Sequence, residues 1–227
     1  MFTYPLLCYT SCSQKKKKEM AVMKNMNQTI LKIALTALFA ALSYVAFTYL
    51  QIPLPGNTAL HVGNAFCVLC ALLLGGGYGG LAGSIGMTIA DLTNPVYITS
   101  APKTFILKLC IGLITGFIAH RIAHISEEHD QKYIIKWAVL ASAGGLVFNV
   151  IFDPIVGYFY KQYLLGVPQE LSSIAAKWGA AATFINAIVS IVLVTFVYTA
   201  VRPVLKKSGL FLNISKHENV KEMMIAK

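Results

Sequence analysis

Residues 61–92 read HVGNAFCVLCALLLGGGYGGLAGSIGMTIADL, with Asp91 the one formally charged side chain in the stretch. An apolar run from His61 to Leu74 meets Gly75-Gly-Gly-Tyr-Gly-Gly80, and a second run continues from Tyr78 to Ile98. Glycine takes up the tight turns that other residues resist, so the two runs are expected to fold back on each other as one helical hairpin. So few charges cannot clothe a surface in water. Lipid is the expected solvent.

The rest of the 227-residue chain agrees with this reading. It is 56% apolar and 12% charged, where a soluble domain carries roughly a quarter charged residues. A helix needs about 20 apolar residues to cross a bilayer, so six crossings use about 120 positions, nearly the whole apolar stock. Uncharged runs place these spans near Ile30–Leu50, His61–Leu74, Tyr78–Ile98, Pro102–Ile122, Ile134–Tyr158 and Lys177–Val201. The expected fold is an all-α polytopic membrane domain of six transmembrane helices over residues 27–203. A basic extension, 1–26, precedes it and a polar cytoplasmic tail, 204–227, follows.

Of the 19 Lys and Arg residues, all but Lys103, Lys108, Lys161 and Lys177 fall on one side if the N-terminus is inside. Basic residues collect on cytoplasmic flanks, so both termini are expected there. The net charge of +10 does not form an aromatic-interleaved patch, which argues against nucleic acid. Met1–Cys12 precedes the basic run, the reverse of a secretory signal, and the mature chain is expected to start at Met20, Met23 or Met26.

Several motifs have a plain packing explanation. Cys67 and Cys70 form a CxxC pair inside an apolar run with no second pair, which reads as helix packing. His120 and His124 stand i, i+4 without the intervening Glu of HExxH, and the charged inner loop is the better context; no metal is expected. The glycine run lacks the Gly-Lys that ends a P-loop, so any ATP is hydrolysed by another polypeptide. Small residues four apart, Ala37/Ala41, Gly79/Gly83, Ala82/Gly86/Ala90 and Gly112/Gly116, form ridges along which helices approach closely.

Polar side chains within the spans carry the functional signal, because an ionisable group in lipid is expensive and faces a partner or a cavity. At about 1.5 Å per residue, Asp91 on the third span and Lys108 on the fourth reach the same level, which fits a direct ion pair or shared contact with a ligand. Asn149 and Asp153 lie high on the fifth span, with Pro154 and Gly157 expected to disturb the helix beyond them. Lys177 and Trp178 open the sixth span, Trp178 as a pocket residue or a belt anchor, and Asn186 falls near the midplane. His61 and Asn64 follow the Pro-containing connection Gln51–Leu60. The polar groups crowd the outer half, so a pocket open outward and sealed below is expected.

The segments His61-Val-Gly-Asn64, Ala71-Leu-Leu-Leu-Gly75, Tyr78-Gly-Gly-Leu-Ala-Gly83, Ile85-Gly86, Ala90-Asp91-Leu92, Ala101-Pro102-Lys103-Thr-Phe-Ile-Leu-Lys108 and Gly112-Leu-Ile-Thr-Gly116 carry a family resemblance. In this order and spacing they resemble the substrate-binding S components of energy-coupling factor (ECF) vitamin importers, most closely the riboflavin type. The close match runs from His61 to Arg121. The resemblance implies a subunit of the bacterial cell membrane that holds a vitamin in an outward pocket and docks on a coupling membrane subunit driven by two ATP-binding-cassette ATPases. It also implies that Ala37 and Ala41 serve that docking. After Asp91-Leu92 the sequence departs, reading Thr93-Asn94-Pro95-Val96-Tyr97 where relatives carry a shorter connection. Riboflavin, pyridoxine, a pyrimidine precursor of thiamin and other small rings all stay open as ligands, with Tyr97, Tyr158 and Trp178 available for stacking.

The expected function is therefore capture and translocation of a small heterocycle without enzymatic activity or cofactor. His61, Asn64, Asn149 and Asp153 are expected to hydrogen-bond the ligand, and Asp91 and Lys108 to form the floor or side of the pocket. A stand-alone secondary transporter is the alternative, although no internal repeat is visible. An intramembrane enzyme with Asp91 or Asp153 as acid or base is the other, although no catalytic couple accompanies them.

Overall fold

The computed structural model describes residues 5–127 and 129–207. Most of the expected C-terminal tail, 208–227, lies outside the described residues. The elements run in the order α1 (Pro5–Tyr49), β1 (Gln51–Leu54), β2 (Thr58–His61), α2 (Gly63–Leu74), α3 (Gly76–Thr93), α4 (Ala101–Gly116), α5 (Gln131–Phe159) and α6 (Gln169–Lys207). By its contacts the chain divides after Leu35. The first unit contributes helix only, from Pro5 onward; the second, from Thr36, contains every other element and is described below.

Four apolar stretches are long enough to cross a membrane: Gln28–Tyr49, Ile98–Ile122, Gln131–Leu164 and Gln169–Leu205. The other two helices, α2 of 12 residues and α3 of 18, measure about 18 and 27 Å at 1.5 Å per residue. They form the expected hairpin. Gly75 alone joins them, at φ 101°, a left-handed conformation that side chains resist. Its N–H returns to Ala71 O at 3.0 Å and its carbonyl accepts from Gly79 N at 3.0 Å, so the turn leaves neither backbone group idle.

Helix α3 is the hub, and its glycines explain why. A Cβ at Gly79 or Gly83 would strike Ala71 or Cys67 on α2. Gly76 and Gly80 meet Gly116 and Gly112 of α4 backbone to backbone, and Gly86 lies against Ala40 of α1. Three faces of one helix thus approach three neighbours without side chains between, which gives van der Waals packing in a solvent that supplies no hydrophobic drive. Cys67 belongs to this packing: it is fully buried and its thiol donates to Gly79 O at 3.4 Å.

Outward the bundle is apolar. Leu38, Leu81, Ile85, Ile106, Leu113, Val192 and Phe196 are all exposed, as befits a surface that meets acyl chains. The end where α6 finishes is sewn by polar groups. The Arg202 guanidinium donates to Ile125 O at 3.0 Å and Glu127 O at 3.1 Å. His120 Nε2 reaches Ala71 O at 3.0 Å and its Nδ1 reaches Ser126 Oγ at 2.9 Å. His120 ends its helical segment at Ile122 while His124 sits in a turn at φ 47°, so their spacing of four does not place them on one helical face.

Two sequence expectations change, and the end of α5 takes a specific form. The connection after α1 is a β-hairpin, paired from Gln51↔His61 to Leu54↔Thr58, and His61 belongs to it and not to the second helix. Helix α5 carries Pro154 and Gly157 within it, continues to Phe159 and then widens into a π turn, Tyr160–Leu164. Helix α6 begins at Gln169, eight residues before the expected Lys177, and runs past Pro203 to Lys207.

Candidate functional site

The hairpin, the start of α2, the end of α3, the start of α4 and the end of α5 meet at one end of the bundle, around a cavity of about 540 Å³ that includes space open to solvent. Every element sends in a side chain. Phe47 comes from α1, Asn57, Thr58 and His61 from the hairpin, Asn64 from α2 and Asp91 from α3. Tyr97 and Ser100 come from the following connection, Lys103, Thr104 and Lys108 from α4, Asp153 from α5, and Thr183 and Asn186 from α6.

The hairpin is fixed by an amide. Asn186 Oδ1 accepts from His61 N at 3.0 Å and Asn186 Nδ2 donates to Ala59 O at 3.1 Å, occupying the free edge of β2. The His61 ring is fixed in turn, its Nδ1 accepting from Gly63 N at 3.2 Å, which leaves the proton to Nε2. Phe47 stands edge-on to that ring, centroids 4.5 Å apart, and to Tyr97 at 5.9 Å. This aromatic wall faces the charged groups of α4 and α5.

Asp91 and Lys108 do line one cavity, as their equal depth predicts, and of the two readings, a direct ion pair or shared contact with a ligand, they do not form the ion pair. Lys108 Nζ donates to Asn149 Oδ1 at 3.2 Å, and the ion pair of the site is Lys103–Asp153 at 2.9 Å. The ruler along each helix is right about height; which way a side chain leaves its helix decides the partner. Asp91, Lys108, Asn64 and Asn149 are 2, 6, 1 and 1% exposed. Asn64 Oδ1, Asp91 Oδ2 and Asn149 Nδ2 are buried and have no hydrogen-bond partner. Buried polar atoms are nearly always satisfied, so acceptors left bare beside a cavity are free to take a donor from its occupant.

A second hollow adjoins the first, sharing Asn57, Thr58, Ser100, Lys103 and Asp153 and adding Gly56, Gly157, Lys161, Ala175 and Gly179. Lys161 Nζ donates to Gly56 O at 2.6 Å, which ties the hairpin turn to the end of α5.

His61, Asn64, Asp91, Lys108 and Asp153 are therefore brought together, with Asn149 bonded to Lys108 behind them. Trp178 is not brought in. It is 42% exposed on the outward face of α6, beside exposed Ile174 and Ile185, the placement of a belt anchor. Tyr158 does not line the cavity either. The reading of the sequence overlooked Phe47, Thr183 and, above all, Lys103, which entered the orientation count and the family resemblance but not the set of ligand-binding residues. A usable signal was there for α4: Thr104 and Lys108 stand i, i+4 on one face of a helix that starts at Ala101, with Lys103 in its first turn.

Ala37 and Ala41 are exposed on α1, while Ala40 and Ser43 between and beyond them are buried. That stripe points away from the chain's own packing.

No curated protein matches the chain. Among solved structures, ThiT from Listeria monocytogenes superposes with a TM-score of 0.60 at 17% identity, over 76% of this chain and 95% of that one, which establishes a shared fold. The family model described as "ECF-type riboflavin transporter, S component" matches residues 27–203, the stretch that contains the cavity, the glycine-packed hub and the exposed alanines. A match across most of the chain, on a bundle with this fold, makes it a member of the ECF-type riboflavin transporter S-component family.

Proposed function

We propose that this chain captures a vitamin or vitamin precursor, a small flat heterocycle, in the cavity beneath the hairpin and passes it inward as part of an ATP-driven complex. Family membership makes it a multi-pass membrane transporter subunit and not an enzyme. The observation that carries the finer reading is the pair of bare acceptors, Asn64 Oδ1 and Asp91 Oδ2, in a cavity walled by Phe47, His61 and Tyr97. His61, Asn64 and Asp153 hydrogen-bond the ligand, Asn149 orients Lys108, and the aromatic rings cover its face.

Translocation needs partners: a coupling membrane subunit, docked on the Ala37/Ala41 stripe, and two ATP-binding-cassette ATPases. Both termini of this chain face the cytoplasm, and the cavity opens to the outside of a bacterial cell membrane. Uptake into proteoliposomes separates this reading from its rival. Labelled vitamin is expected to accumulate with the coupling subunit, the ATPases and enclosed ATP, and not with the chain alone. Accumulation by the chain alone, without ATP, would make it a secondary transporter.

A further inference from the structure

We propose that the occupant of the cavity is a zwitterion, a heterocycle that directs a cationic N–H at Asp91 and Asn64 and an anionic oxygen at Lys108. The proposal rests on reading the cavity as a vitamin site and narrows the chemistry of what it holds.

Four charged side chains line the cavity, and two of them, Lys103 and Asp153, neutralise each other at 2.9 Å. That leaves Asp91 and Lys108. They form no ion pair: among the described residues the Lys108 ammonium donates to the neutral Asn149 amide, and the Asp91 carboxyl has the Thr104 hydroxyl as a hydrogen-bond partner while its Oδ2 has none. Both are almost wholly buried, at 2% and 6% exposure. A buried charge with no ion-pair partner in contact is costly, and charges of opposite sign that share a cavity without touching offset each other only in part, so this arrangement gains when something joins them. An uncharged ring would leave both uncompensated and a simple ion would leave one. A zwitterion satisfies both.

The polarity of the surroundings agrees. Asn64 Oδ1 is a second bare acceptor in the same cavity, so the groups awaiting a partner near Asp91 call for a donor. The Phe47, His61 and Tyr97 rings supply a wall for a small flat body that carries the two charges at its edge.

Pyridoxine is a suitable probe because at neutral pH it carries a pyridinium N–H and a phenolate oxygen on one ring, whereas riboflavin is uncharged. Calorimetric titration of the full chain in detergent is expected to show pyridoxine binding at least tenfold more tightly than riboflavin. Asp91→Asn and Lys108→Met are each expected to weaken it at least tenfold. Either single variant leaves one charge stranded, so the double variant Asp91→Asn/Lys108→Met guards against misfolding. It is expected to melt no lower than the unliganded parent, yet to bind no pyridoxine. Riboflavin bound with an affinity that these substitutions do not alter overturns the zwitterion while the vitamin site stands. Binding of neither compound overturns the proposal, and if no vitamin of a wider panel binds, the reading of the cavity falls with it.

Discussion

The Asn186 amide accepts the His61 N–H at 3.0 Å and donates to the Ala59 carbonyl at 3.1 Å, so one side chain of α6 stands where a third strand would lie beside β2. Asn186→Leu leaves both backbone groups without a partner at a largely buried position. The expected cost is about 1–3 kcal/mol, read as a lowered melting temperature in detergent, with weaker ligand binding because the hairpin roofs the cavity. An unchanged melt would show that the hairpin is held by other contacts. The Lys103–Asp153 pair is 14% and 18% exposed, between the surface case of about 0–1 kcal/mol and the buried case of about 3–5. Lys103→Met is therefore expected to destabilise by about 2 kcal/mol, and adding Asp153→Asn should recover part of that; a double variant as unstable as the sum of the singles would contradict the pairing. At this scale the sequence was half legible. Rise per residue gave the common level of Asp91 and Lys108, but partners depend on azimuth around helices whose mutual rotation no single chain of letters states. Hence Lys108 turned out to serve Asn149, and Asp153 to serve Lys103.

At the scale of elements, the spacing of small residues was the dependable signal. Gly76, Gly80, Gly112 and Gly116 recur every fourth position because two backbones touch there, and no side chain fits between them. Gly112→Leu is expected to abolish a monodisperse, folded preparation on gel filtration. Gly77 offers the contrast: nothing lies within 4 Å of where its Cβ would be, and Gly77→Ala is expected to be neutral or to stabilise by about 0.5–1 kcal/mol. Equal damage from the two would mean that the hub is not packed as described. Helix limits were less legible for a physical reason. An uncharged run reports what lipid will accept, whereas the hydrogen-bonded ladder of α6 begins earlier, at Gln169-Glu-Leu, and ends later, at Lys207. The hairpin was missed because strands of four residues are too short to show alternation. Pro55-Gly56-Asn57 was its one sign, and the structure uses it as a turn, with Gly56 at φ 78° and Asn57 at φ 54°.

For the whole molecule, two surfaces have separate duties, and substitutions should separate them. The polar cavity is proposed to hold the ligand. The exposed Ala37/Ala41 stripe is proposed to meet the coupling subunit, where small side chains let helices come close. Ala41→Trp is expected to leave vitamin affinity within about twofold of the parent while lowering ATP-driven uptake by tenfold or more; uptake at the parental rate would move the docking surface elsewhere. The family and the membrane setting were legible because they rest on composition and on spacings within α2, α3 and α4, from His61 to Arg121. The ligand was not, because its identity depends on which charges find partners once seven elements converge. The central claim is that this convergence is a vitamin site. Native mass spectrometry of the chain released from detergent, with and without a panel of vitamins, tests it directly. A one-to-one adduct with a small ring compound is predicted, and Thr183→Trp, which plugs the cavity, should remove it. An adduct that survives the plug, or a bare protein mass across the whole panel, would contradict the account.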